Sequence, residues 1–440
     1  MRSHFDDLAK AVCTAVSGTD RVSLAYCAES SHFIRFNHAA VRQAGHVDQR
    51  YGTVTVVFGA RQASATVTLS GELEVDREML LAERALLIGQ LPFVPEDNYL
   101  LLPQALESTE RHDSGRLPTP QQLIDAVHSH AAGTDLVGFY AGGPVVRAYA
   151  DSRGQRNWHS VESFLFEWCL YHAADQAVKS SYAGSVWDDA EFARRMAQAR
   201  EQLALLALPV KTLAPGQYRA YFTPVAMADL LATLSWGGFG LKSARTGVST
   251  LMQLHRGEVR LHPGIDLTEN GGQGIAPSFQ LDGFVKPPAV PLVRGGRSAG
   301  TLNSPRSARE YGASANGSCS GETPESLTLA TGTLAAADVL RTLGTGVYVS
   351  NLHYLNYSDR LACRMTGMTR FACFWVEAGA IVAPIAVMRF DDSFLRMFGE
   401  GLVALTQEAE LVPDGATYGA RQLASVTTPG AIVEGLRFTL

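Results

Sequence analysis

The sequence predicts an α+β fold in two units: an N-terminal antiparallel sheet with flanking helices, and a larger β-rich C-terminal unit. Three observations lead there. The first third of the chain reads helix, meander, helix. Glycine is abundant, 41 residues in a chain of 440, which suits many turns and a large β content. A short polar stretch containing Pro-Gly, Lys211–Gly216, separates units of 1–210 and 211–440. The length is ample for two domains or three, each with its own core.

Residues 3–17 carry Phe5, Leu8, Val12 and Val16 at helical spacing, so the chain opens with a helix. Strand-like runs follow at Val22–Ala28, His32–Asn37, Gly52–Gly59 and Ser64–Ser70. Within them Val54, Val56 and Phe58, then Ala65, Val67 and Leu69, alternate with other residues as in an antiparallel meander. Asp76–Gly89 has an apolar face of Met79, Leu80, Leu86 and Leu87 and reads as a helix. The Pro-rich stretch 92–120 reads as a connection, and Pro120–His130 as the next helix. Leu136–Tyr140 and Val145–Ala150, separated by Ala-Gly-Gly-Pro, read as a hairpin. Trp158–His172 reads as a strand, and Glu191–Ala207 as a helix with Phe192, Met196, Ala199 and Leu203 on one side.

In the second half the strand-like Tyr218–Phe222 meets Thr223-Pro224. An apolar helix follows and ends in Gly237-Gly238; Pro just inside the start and Gly just past the end are the expected punctuation. Residues 294–322, rich in Gly, Ser and Arg, read as a mobile loop or a surface that orders on binding. Gly346–Ser350, Phe371–Glu377 and Ala380–Phe390 read as strands, Phe394–Leu405 as a last helix and Ala431–Leu440 as a strand-like tail.

Composition narrows the function. A formal net charge of −6 gives no bulk electrostatic case for nucleic-acid binding. Six scattered cysteines without a CxxC read as reduced thiols. The start has no secretory apolar region, and no run approaches the ~18–20 apolar residues of a membrane span, so a cytoplasmic protein is expected. The histidines offer no ligand set: His128 and His130 are two apart on a helix and point to different faces, and His255 and His262 fall in a turn region. Gly317-Ser318-Cys319-Ser320-Gly321 is not the GxSxG elbow, and Gly271-Gly272-Gln273-Gly274 lacks the Lys-Ser/Thr of a phosphate loop, so both read as turns.

The densest polar cluster is 351–379, with His353, Asn356, Tyr357, Asp359, Arg360, Arg364, Arg370, Trp375 and Glu377. Arginine forks suit carboxylates, including a peptide C-terminus, and Asn and Tyr suit backbone amides. The cluster therefore reads either as a peptide-binding set or as an internal network around Asp359, Arg360 and Glu377.

The segments Leu343–Val349 (LGTGVYV) and Arg370–Gly379 (RFACFWVEAG) resemble the C-terminal domain of the TldD/PmbA (TldE) family of peptidases, with Ala378 and Ala380 departing from its FWVE-N-G-E-I strand. Ala276–Gly283 (APSFQLDG) resembles the family's P-x-F-D-x-x-G turn, with Gln280 in place of Asp. Phe36-Asn37 and Val41-Arg42-Gln43 resemble its first-domain strands. The resemblance implies a two-domain α+β architecture and dimeric assembly. In the TldD type it implies zinc held by HExxxH on the helix after the Pro plus a later Cys, with peptides cleaved in a chamber closed by a TldE/PmbA subunit. Here the two His would fall near Asp229 and Thr233, Leu230 stands where the general base Glu would be, and 406–440 contains no Cys. The resemblance is thus to the non-catalytic TldE/PmbA side. It implies no metal and no catalytic residue in this chain, zinc in a TldD-like partner, assembly as a heterodimer or a homodimer, and an extended peptide as ligand. Two alternatives stand beside it: an independent hydrolase with a metal on His353, Asp359 and another His, and a regulatory peptide- or protein-binding module.

Overall fold

The computed structural model describes residues 1–173 and 176–439. Among these residues the N-terminal part forms a seven-stranded sheet from β1 (Arg21–Asn37), β2 (Ala40–Phe58), β3 (Arg61–Leu69), β4 (Thr109–Asp113), β5 (Asp135–Asp151), β6 (Arg156–Ala173) and β7 (Gln176–Gly184). The order is β3-β2-β1-β5-β6-β4, with β7 also on β6; every pairing is antiparallel except β4 with β6. A strand shows alternate residues to opposite faces. On β1 the even positions Val22, Leu24, Tyr26, Ala28, Ile34 and Phe36 all enter apolar cores on one face. That face is covered at one end by α1 (Arg2–Val12) and α2 (Leu73–Gln90), and at the other by α3 (Pro120–Ala131) and α4 (Asp189–Leu205).

The odd-numbered face meets the C-terminal half. Gln155 Nε2 donates to the Gly283 carbonyl at 2.7 Å, and His159 Nε2 lies 3.0 Å from the Ile275 carbonyl. Arg421 enters the same face between Glu29, Gly143 and Ser163. Past these contacts the odd face runs on, uncovered, towards the tip of the β1–β2 hairpin.

The C-terminal half folds, in chain order, through β8 (Gly216–Phe222), α5 (Pro224–Leu234), α6 (Leu241–Arg245), α7 (Met252–His255), β9 (Leu267–Glu269), β10 (Val290–Arg294), β11 (Arg297–Ser298) and α8 (Pro305–Tyr311). It continues with β12 (Ser326–Leu329), α9 (Val339–Leu343), β13 (Gly346–Val349), β14 (Asn351–Asp359), β15 (Arg364–Arg370), β16 (Phe374–Glu377) and β17 (Ala380–Pro384). It closes with β18 (Arg389–Ser393), α10 (Phe394–Met397), β19 (Leu402–Pro413) and β20 (Ser425–Phe438). The strands form a second sheet whose central run is β12-β20-β8-β13-β16, parallel at β12–β20 and β8–β13 and antiparallel at β20–β8 and β13–β16. Helix α5 packs on β20 and β14 and feeds Ala226, Met227, Leu230, Leu231 and Leu234 into the largest core.

Several expectations need correction. Ala-Gly-Gly-Pro does not turn the chain: β5 runs straight through it. The two glycines serve close approach instead. Gly143 has φ 148, and a Cβ there would lie 2.1 Å from the Ser30 carbonyl oxygen. Gly143→Ala is expected to destabilise the protein by about 1–3 kcal/mol, read as a lowered melting temperature. The last helix is a single turn, Phe394–Met397, and Leu402 already lies in β19. Gly399 and Gly401 break it, and a Cβ on Gly399 would lie 2.4 Å from the Leu395 carbonyl oxygen. Ala380–Phe390 is two strands, divided after Pro384, which lacks the N–H a ladder needs. The first helix stops at Val12, and the connection 92–120 contains β4. Residues 294–322 include α8, anchored by the buried Glu322, whose carboxylate accepts from the Ser304 N–H at 2.9 Å and the Lys242 N–H at 2.8 Å. No helix among the described residues is long and apolar enough to cross a membrane.

Candidate functional site

Helix α5 is fixed at both ends by its own sequence. Thr223 Oγ1 accepts from the Ala226 N–H and donates to the Ser350 carbonyl, and Pro224 occupies the first turn, where a missing N–H costs nothing. At the far end Ser235 Oγ donates to the Leu231 carbonyl at 3.1 Å, and Gly237 takes a left-handed φ of 87.

The positions that would carry a zinc motif do not fit a metal. Leu230 is fully buried in the core. Thr233 is buried, and its Oγ1 donates to the Asp229 carbonyl at 2.9 Å. Five residues on from Asp229, the HExxxH spacing, stands Leu234 rather than Thr233, and it too is fully buried. Among the described residues no three His, Cys, Asp or Glu side chains converge on one point, so a His353–Asp359 ligand set is not assembled either.

Asp229 is the polar exception. It turns towards the N-terminal sheet, within electrostatic reach of Lys179 on β7 and Glu167 on β6. Burial pushes its carboxyl up to about 6, against the opposing pull of Lys179 and a hydrogen bond from the Leu352 N–H. Lys179 Nζ and Glu167 Oε1 pair at 3.1 Å.

Lys179 and Glu167 also line a groove of about 530 Å³ on the uncovered odd face, the usual size for a ligand site. Its other walls include Arg35, Arg42, Gln43 and Phe139. Phe139 stacks on Phe33 at 5.9 Å, and the Arg35 guanidinium lies 5.5 Å from the Phe139 ring centre. A β-bulge shapes the rim: pairing passes from Arg35↔Gln43 to Phe36↔Val41 and skips Arg42. Bulges re-aim side chains, and here Arg42 and Gln43, adjacent in sequence, line the same groove.

The 351–379 cluster is placed differently. β14 and β15 form a hairpin. Asp359 Oδ1 accepts from the Leu361 and Ala362 N–H groups and closes its turn. Tyr357 Oη donates to the Thr233 carbonyl at 2.9 Å, and Arg360 Nη2 to the Trp236 carbonyl at 2.8 Å, so both hold the end of α5. Arg364 pairs with Asp391 at 3.3 Å. His353 is exposed with its ring against Tyr354, and the exposed Asn356 accepts from the Tyr357 N–H. Trp375 Nε1 donates to Glu377, which pairs with Lys211 at 2.9 Å rather than with Arg360. Arg370 acts electrostatically on Cys169, which lines the groove. The groove residues Arg35, Glu167 and Lys179 carry no motif; Arg35 and Glu167 stand at the open positions of strands whose neighbouring positions are buried.

The fold is a mixed α+β architecture of two sheets, and among the described residues α5 brings no metal-ligand set together. The family model for the PmbA/TldA metallopeptidase C-terminal domain matches residues 215–440. The chain belongs to this PmbA/TldD family. Its fold is similar to that of TldE from Thermococcus kodakarensis (TM-score 0.83, 13% identity, covering 99% of this chain and 100% of that one). It is also similar to proposed modulators of DNA gyrase from Thermotoga maritima (TM-score 0.75, 14% identity, 100% of both chains) and Bacteroides thetaiotaomicron (TM-score 0.74, 13% identity, 100% of this chain and 97% of that one). No curated protein matches the chain in sequence.

Proposed function

We propose that this chain is a non-catalytic, TldE/PmbA-like subunit of a two-component zinc peptidase that acts on extended or unfolded peptides. The observation that carries the reading is α5: Leu230 and Leu234 are core residues, the Thr233 hydroxyl is taken up by a backbone carbonyl, and Asp229 is a half-buried carboxylate turned towards Lys179 and Glu167. A lone carboxylate cannot hold a catalytic zinc, which needs about three protein ligands. The subunit would supply walls and peptide contacts to a metal-bearing partner of the same family. The groove beside Asp229 is the surface suited to that, because it is concave, mixed in polarity and next to the position a zinc helix would occupy.

The test is purification of the chain alone and together with a family member that carries HExxxH and the later Cys. Expected are less than a tenth of an equivalent of zinc and no peptide cleavage alone, then a stable complex with cleavage when the partner is added. Stoichiometric zinc with cleavage by the isolated chain would overturn the reading.

A further inference from the structure

The groove has a charge asymmetry that the pseudoenzyme reading does not use. Its charged pair is internally neutral, since Lys179 is tied to Glu167. Asp229 lies on the α5 side. At the hairpin end stand Arg35 and Arg42, both exposed. Among the described residues neither makes an ion pair or donates a side-chain hydrogen bond. Their placement is built: β1 pleating turns Arg35 onto the open face, the bulge brings Arg42 to it, and Phe139 supports the Arg35 guanidinium. A guanidinium lying on an aromatic ring keeps its N–H edge free, and that planar fork matches a carboxylate.

We propose that the groove selects peptides by a carboxylate, received by Arg35 and Arg42 above the Phe33–Phe139 stack. The inference rests on the reading above for peptide as the ligand, and it adds the chemical class the groove prefers. The carboxylate has two sources, a peptide's C-terminus or an acidic side chain. Gln43 beside the arginines can hydrogen-bond the adjoining amide. The volume of about 530 Å³ accommodates a short segment rather than a folded domain.

The test is binding of fluorescent hexapeptides to the full chain, without partner or zinc, so its outcome is separate from the cleavage assay. Four peptides separate the sources: neutral side chains with a free C-terminus, the same amidated, amidated with one Glu, and amidated with Gln in its place. The free-carboxylate or Glu peptide, or both, is expected to bind at least ~tenfold tighter than its neutral counterpart, with the advantage shrinking as salt rises. Preference for the free terminus identifies the first source, and preference for Glu the second. Arg35→Gln with Arg42→Gln should remove that tenfold advantage. Arg35→Lys with Arg42→Lys, which keeps the charge but loses the fork, should retain part of it. Both side chains are exposed, so the melting temperature should not move. Equal binding of all four peptides, no binding at millimolar concentration, or an unchanged advantage in the Gln variant would each overturn the proposal.

Discussion

Replacing Arg421 by alanine is expected to destabilise the fold by about 3–5 kcal/mol, the usual result of removing one member of a buried charged network. The side chain is 6% exposed and makes its contacts far from home in sequence. Nη1 donates to the Gly143 carbonyl at 2.8 Å and to Ser31 Oγ at 3.3 Å, and Nη2 donates to the Ser163 carbonyl at 2.7 Å and to Ser163 Oγ at 2.8 Å. Glu29, 2% exposed, sits beside it and accepts from the Arg421 N–H, Ser31 Oγ and Gln49 Nε2. Burial pulls the guanidinium below its ordinary value, and the Glu29 charge opposes that. Alanine would leave Glu29 buried without its cation and the Gly143 and Ser163 carbonyls without donors. Arg421→Lys should recover part of the loss, because one ammonium cannot span both carbonyls. Denaturant unfolding followed by the fluorescence of Trp168, buried in the same sheet, reads the effect. A loss below about 1 kcal/mol would mean that water replaces the guanidinium and that the contact is not a clamp between the two halves.

The same contact shows where sequence reading stops. Local patterns were legible because they are set by neighbours in the chain. The alternation Val54, Val56 places β2, and Thr223-Pro224 with Gly237 brackets α5. Glycines were ambiguous because one residue type serves two ends. Gly142-Gly143-Pro144 reads as a turn, yet it is needed where β1 crowds β5; between Glu29↔Val145 and His32↔Gly142 the ladder opens and Arg421 enters. That requirement comes from the Ser30 carbonyl on the neighbouring strand, far away in sequence, and leaves no local trace. The polar residues of 351–379 are close in sequence, and a local cluster of that kind reads as a site. Most of them bond to one another, to their own turn or to the end of α5. The groove is the reverse case. Arg35, Arg42, Phe139, Glu167 and Lys179 come from β1, β2, β5, β6 and β7, and only the sheet order brings them together. The sequence of α5 shows that it contains no HExxxH, but not the direction in which Asp229 turns.

Asp229→Asn is expected to stabilise the protein at neutral pH by up to about 3 kcal/mol and to have almost no effect near pH 4. The sign follows from burial. The carboxyl has an ordinary value of 3.8 and is pushed up to about 6 in the fold. Below about pH 4 it is protonated in both the folded and unfolded states and contributes no difference. Between about 4 and 6 the folded state holds the proton that the unfolded state has released, so stability falls as pH rises. Above about 6 both are ionised, and the folded state bears the full cost of a poorly solvated carboxylate, roughly two units at 1.36 kcal/mol each. Lys179 and the Leu352 N–H already offset part of that cost, while Glu167 adds to it. Asparagine keeps an acceptor for the Leu352 N–H and removes the charge. Unfolding midpoints of both proteins at pH 4, 5.5 and 7 should therefore diverge with pH; a constant offset would assign the effect to packing instead. A helix face kept only for packing would carry another leucine at this position, as it does at Leu230 and Leu234. Asp229 instead keeps an ionisable group at this position, at a cost to stability, within electrostatic reach of Lys179 and Glu167.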